Sequence, residues 1–243
     1  MSRKRKAEAE ELKCTTVDCS SKTPAELSTG SKFIVDEKSL ISVESPRVRL
    51  IGEEALRVHS APVEDLHDPE FQKEKLQLHR ALLDFRAKHG FGRSIASNQI
   101  GVTKRFLAIN LGGGAFSMIN PKIIWRDPQM FTLWDDCMSF PWLLVRVKRH
   151  QSISVQFVDD DGNQHTWQNL DKATSELLQH EIDHLDGILA TDRALDKDAI
   201  ISRYAFDQRP TRFQAQVDYV IQPTIELAKN DAKTELNSSQ QPS

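Results

Sequence analysis

The chain has 243 residues, of which 39% are hydrophobic, with 32 basic against 35 acidic residues and a net charge of −3. That length predicts one domain of about 150–200 residues plus polar tails, and the near-balanced charge argues against a basic nucleic-acid-binding surface. No apolar run reaches the roughly 18 residues of a membrane span, the N-terminus lacks the apolar core of a secretory signal, and three cysteines make no disulfide framework, so a cytoplasmic protein is expected, with no membrane partner.

Residues 1–44 read as a disordered polar tail. Its first twelve residues are a mixed-charge run, in which Arg3 to Lys6 make a weak basic import patch. Glu8, Glu10 and Glu11 argue against an organellar transit peptide, since such peptides are poor in acid. Cys14 and Cys19 have no partner pair nearby and read as free tail thiols. Order is expected from about Arg47, with a short turn or helix over Glu53–Val58 and an extended link at Ala61–Val63. Asp68-Pro69-Glu70 then opens a helix, with Asp as N-cap and Pro at the first helical position. Phe71, Leu78, Leu82 and Phe85 follow at helical spacing, and His89-Gly90 ends it. His79 is expected on the helix surface.

Gly90 to Gly101 is rich in small residues, which permit close backbone approach. Arg105–Leu111 reads as a strand, Gly112–Gly114 as a turn, and Ser117 starts another strand. Phe131 to Phe140 holds Cys137 in a polar setting, beside Asp135, Asp136 and Ser139. Gln151–Val158 alternates as a strand, and Gln164–Asn169 returns as the second arm of a hairpin. A helix is expected over about 173–186, stopped by Gly187. Short helices are expected within Lys197–Arg209 and within Thr224–Ala232. Short antiparallel strands with two buried helices predict an α+β domain.

The chemistry lies on the helix before Gly187, in His180-Glu181-Ile182-Asp183-His184. Histidines four residues apart share one helix face and can grip one metal ion, and Glu181 can reach water activated there. A catalytic site of this kind needs a third protein ligand. A three-histidine site would need His where this chain has Ala190, and no Glu occurs between His184 and Glu226 to complete a His-His-Glu set. The remaining soft ligand in the ordered region is Cys137, and a thiolate with two imidazoles suits a divalent iron or zinc ion.

These segments together resemble the peptide deformylase family. His180-Glu181-Ile182-Asp183-His184-Leu185 is similar to its third motif, H-E-x-D-H-L. Asp135-Asp136-Cys137-Met138-Ser139 is similar to its second, E-G-C-L-S, and Gly92 to Gln99 to its first, G-x-G-x-A-A-x-Q. The likeness runs from about Arg47 to Arg209. It implies a deformylase-like catalytic domain over 45–209, with antiparallel sheets packed around a central metal-binding helix, and a C-terminal extension over 210–243.

It further implies that Cys137, His180 and His184 hold one divalent metal ion (Fe2+ or Zn2+), and that Glu181 handles the proton as an N-formyl amide is hydrolysed to formate and a free amine. The Gln99 side chain and the Met138 backbone N–H would meet the oxyanion, while Asp183 would orient a ligand histidine. Asp135 replaces the family Glu and is expected to pair with Arg149. Asp136 replaces Gly and adds a carboxylate at the site mouth. Counting back from Gln99 puts Ser94 and Ser97 where the family has Gly and Ala; an alternative alignment keeps Gly90-Phe91-Gly92 as G-x-G with a two-residue insertion. Trp142 is bulky, Leu144 falls where bacterial members often carry a substrate-binding Arg, and Arg146 is two residues out of register. Gly92, Ser94, Asp136, Trp142 and Arg146 are thus the expected substrate-contacting residues. The expected activity is N-formyl hydrolysis, on a formyl-methionyl peptide or a smaller N-formyl amide, by a monomer with no nucleic-acid partner. The alternative is a metal-bearing peptide- or protein-binding module with little such activity; an endopeptidase would need a longer open cleft.

Overall fold

A computed structural model describes residues 35–221. Two antiparallel sheets form the frame. The larger has the order β1-β2-β3-β6-β7, from Ser94–Ala96, Phe106–Asn110, Ala115–Arg126, Ile153–Val158 and Gln164–Trp167. The smaller is β4-β5-β8, from Met130–Asp135, Leu143–His150 and Ile200–Ser202.

Helix α1, Pro69–His89, forms where its caps predict. The Asp68 side chain accepts from Glu70 N, and Gly90 closes the helix at φ +74°. Phe71, Leu78, Leu82 and Phe85 are all buried against the large sheet. His79 is buried too, contrary to expectation. It follows Leu78 around the helix, and its Nε2 lies 2.9 Å from Ser117 Oγ of β3. The helix therefore buries a broader face than its apolar stripe marks.

Helix α2, Lys172–Leu185, is buried from Thr174 to its end. It packs on β1 and β3 of the large sheet and on β5 of the small one, so the metal-motif helix lies against both. Asp171 caps it by accepting from Ala173 N and Thr174 N. Gly187 follows at φ +73°, where a Cβ would sit 2.6 Å from Arg57 O, so glycine is required both for the turn and for the close approach.

Two expectations on domain limits are corrected. Residues 35–44 are part of the fold: Val35 bridges Ala115, and Leu40, on a 3-10 turn over Glu37–Ser42, is 1% exposed. The Leu40 side chain is buried, and its carbonyl accepts from Arg80 Nη1 of α1. At the other end, a domain limit at 209 cuts a docked segment. Tyr219 and Ile221 pack on the cluster around Phe131 and Phe140, and the Asp218 carboxylate accepts from Thr132 N of β4. Lys197–Arg209 is strand β8 followed by helix α3, Arg203–Gln208, rather than one helix; α4, Pro210–Gln214, follows. Cys14, Cys19 and Thr224–Ala232 lie outside the described residues. Among the described residues, no helix is long and apolar enough to cross a membrane.

Candidate metal centre

Three elements bring the expected ligands together. Helix α2 supplies His180 and His184 one turn apart. The turn after β4 supplies Cys137, whose neighbours Asp135 and Met138 are also buried. The 3-10 turn after β1, Ser97–Ile100, supplies Gln99. Cys137 Sγ lies 3.2 Å from His184 Nε2, which lies 3.2 Å from His180 Nε2. All three ligand atoms fall within 4.8 Å of one another and are buried.

This donor set fits a divalent cation. The Nε2–Nε2 separation of 3.2 Å is close to the ~3.3 Å set by two tetrahedral bonds of about 2.0–2.1 Å. Soft sulfur with two imidazoles suits iron or zinc. His180 Nδ1 donates to Asp135 Oδ2 at 3.0 Å, which fixes the ring with Nε2 facing the other ligands. Against burial, Asp135 holds His180 well above the usual histidine range, and a bound cation would take the place of the Nε2 proton. Burial holds His184 well below the usual histidine range, in the neutral form a cation needs. Burial also pushes the Cys137 thiol up; a bound cation would reverse that.

A charge relay backs the ligands. Burial alone would raise Asp135, but His180 and Arg149 hold it below the usual carboxylate range. Arg149 Nη2 donates to Asp135 at 3.0 Å, as the sequence suggests. Its Nη1 donates to Asp183. Asp183 is expected to orient a ligand histidine. It receives Arg149 and two bonds of 2.5 Å from Arg193, and its link to His180 runs through Arg149 and Asp135.

Glu181 lines the cavity beside the ligands. Its Oε2 is buried with no hydrogen-bond partner among the described residues, and burial pushes the carboxyl up to about 7. Gln99 Oε1 accepts from Ala96 N at 2.9 Å, which turns Nε2 toward Ser139 Oγ at 3.1 Å and Cys137 Sγ at 3.7 Å. Met138 also borders this cavity of about 80 Å³.

The expected substrate-contacting residues divide. Gly92 borders the cavity at φ +116°, and a Cβ there would lie 2.6 Å from Met138 Cε. Gly90 is spent as the cap of α1, which favours the ungapped reading of the first motif. Ser94 borders the cavity, but its hydroxyl is used on Ala108 O at 3.0 Å within the sheet. Asp136 is at the mouth as expected, yet it is not a free carboxylate: Arg203 Nη2 donates to it at 3.0 Å. Trp142 and Arg146 do not reach the cavity. Trp142 is 48% exposed, and Arg146 pairs with Asp196 at 2.6 Å on the far side of β5.

Four residues escaped the sequence reading. Arg93 and Glu176 face each other across the cavity wall at 2.5 Å. Burial pushes Glu176 up to about 7, against the Arg93 charge that lowers it. Arg203 donates to Pro141 O at 2.9 Å and stacks its guanidinium over Phe91 at 4.7 Å, clamping the mouth. Ile221 borders this cavity and an adjoining one of about 260 Å³ lined mainly by apolar side chains such as Trp134, Leu144 and Phe206. Only Glu176 carried a local signal, since it precedes His180 by four residues on the same face.

A family profile described as polypeptide deformylase matches residues 46–199. A peptide deformylase of a Thermotoga species (strain RQ2) is 31% identical over 147 residues, covering 60% of this chain and 85% of that protein. The crystal structure of peptide deformylase from Thermotoga maritima superposes with a TM-score of 0.57 at 28% identity, covering 63% of this chain and 99% of that one. A probable peptide deformylase from Synechococcus phage S-SSM7 superposes with a TM-score of 0.54 at 32% identity, covering 61% and 99%. The profile spans more than half of the chain and includes Gln99, Cys137, His180 and His184; this protein belongs to the polypeptide deformylase family.

Proposed function

We propose that this chain is a metal-dependent hydrolase that removes the formyl group from an N-formyl amine, leaving formate and the free amine. The observation that carries this reading is the buried Cys137, His180 and His184 donor set with the unpartnered Glu181 oxygen beside it. Cys137, His180 and His184 would hold the cation, iron or zinc. When bound, it supplies Lewis acidity, which polarises a carbonyl and acidifies water.

The rest falls to the chain's own residues. Glu181, buried beside the ligands and with a carboxyl near neutrality, takes a proton from the attacking water and returns it to the leaving nitrogen. The Gln99 amide, held by Ala96 N, offers N–H donors toward the developing oxyanion, together with the Met138 backbone. Asp135 keeps the His180 ring in its ligating orientation. Gly92, Met138 and Glu181 border one cavity of about 80 Å³, and a Cβ at Gly92 would crowd the Met138 side chain there.

The test is formate release by zinc- or iron-loaded protein from a panel of N-formyl peptides and small N-formyl amines. Glu181→Gln is expected to lower kcat by about 100- to 10,000-fold while binding one metal per chain. Undiminished turnover in that variant overturns the assignment. Full metal loading with no turnover by the native chain favours the binding-module alternative.

A further inference from the structure

The cavity wall beside His180 is built from a buried ion pair. Glu176 leaves helix α2 one turn before His180 and on the same face. Its Oε1 accepts from Arg93 Nη2 at 2.5 Å, with side-chain exposures of 1% and 11%. Arg93 Nη1 also donates to Ala173 O at 3.2 Å, which locks the guanidinium to the helix. Both residues line the same cavity as Gln99, Cys137 and Glu181. A substrate side chain that enters this cavity therefore meets this pair.

An apolar side chain fits such a wall poorly. It would strip the remaining hydration from a guanidinium and a carboxylate and return no hydrogen bond. A cationic side chain meets Arg93, and an anionic one meets Glu176. A neutral group with an acceptor and a donor on adjacent atoms satisfies both: a primary carboxamide accepts from Arg93 through its oxygen and donates to Glu176 through its NH2. We propose that Arg93 and Glu176 make the site selective for N-formyl substrates whose neighbouring side chain ends in a primary carboxamide, in preference to a methionyl thioether.

This rests on the hydrolase reading above, and the two are separable by using binding as well as turnover. Glutaminyl and methionyl side chains have nearly the same length, so they isolate hydrogen bonding from size. Two hydroxamate ligands differing only in that side chain would be titrated into zinc-loaded protein by calorimetry, beside kcat/KM for formyl-Gln-Ala-Ala and formyl-Met-Ala-Ala. The glutaminyl members are expected to be favoured by about 100-fold, the cost of leaving buried polar groups of the wall without a partner in the methionyl complex. The Arg93→Ile/Glu176→Leu double variant is expected to reverse the order. Arg93→Gln/Glu176→Gln, which retains donors and acceptors, is expected to keep it and guards against a folding failure. Equal or tighter binding of the methionyl ligand by the native chain overturns the proposal. So does a double variant that keeps the glutaminyl preference. Selective binding with hydrolysis of neither peptide supports the wall and sinks the hydrolase reading; hydrolysis of both without preference does the reverse.

Discussion

Asp135 is a small change from the family Glu with a large task. One oxygen, Oδ2, accepts from both His180 Nδ1 and Arg149 Nη2 at 3.0 Å. Asp135 ends β4 opposite Val145 of β5, and Arg149, four positions further along β5, reaches back to its carboxylate. Asp135→Asn retains the shape but loses the charge that anchors His180. It is expected to weaken metal binding by about 10- to 100-fold, the usual cost of losing a partner behind a ligand histidine. Competition against a chromophoric chelator measures this directly. An unchanged affinity would mean that the helix alone holds the ring.

Among the elements, helix α2 was legible because two signals coincide in a few residues: an apolar 3.6-residue period and a ligand spacing that only a helix can use. Helix α1 was legible from Asp68, Pro69 and Gly90 at its ends. The strands near the site were not. β1 is Ser94-Ile95-Ala96, buried throughout yet composed like a loop. In β5 the inward positions run Val145, Val147 and then Arg149, so a core position carries a guanidinium and the alternation breaks. Leu40 was invisible because Leu40, Ile41 and Val43 follow no helical or strand period, and the structure buries Leu40 while leaving Ile41 73% exposed. The Arg93–Glu176 wall spans 83 positions in sequence, a separation that no local pattern encodes.

The stop after helix α2 carries its own prediction. Gly187→Ala places a methyl group against Arg57 O and forces a left-handed backbone, at a cost on the order of 1–3 kcal/mol. Gly52→Ala bears only the backbone penalty, since nothing lies within 4 Å of its Cβ. Urea unfolding midpoints should therefore fall further for Gly187→Ala than for Gly52→Ala; equal shifts would remove the Arg57 contact from the account.

Across the whole molecule, the buried His79 ties stability to pH. Burial, with Lys75 one turn away, holds its pKa at about 3. The unfolded chain takes up a proton near pH 6.5, which the folded chain refuses. The unfolded state thus binds more protons between these values, so stability is full above about pH 6.5 and falls as pH drops, by up to about 1.4 kcal/mol per pH unit. His79→Gln removes this slope. Unfolding free energies of the two proteins from pH 7 to pH 5 should diverge in slope, and parallel curves would place the protonation elsewhere.

The clamped mouth has an optical consequence. Of the four tryptophans, Trp125 and Trp142 are 44% and 48% exposed, whereas Trp134 is 7% exposed. Trp134 precedes Asp135, donates from Nε1 to Phe213 O at 2.8 Å, and walls the larger cavity with Ile221. Its emission therefore lies to the blue of the two exposed tryptophans, with half-buried Trp167 between them, and its chain neighbour Asp135 holds the ligand His180. Cobalt(II) substituted into the centre should quench that component selectively, and a ligand entering past Ile221 should shift its wavelength. Trp134→Phe should abolish both responses, which makes a native chromophore the gauge of cation loading and cavity filling.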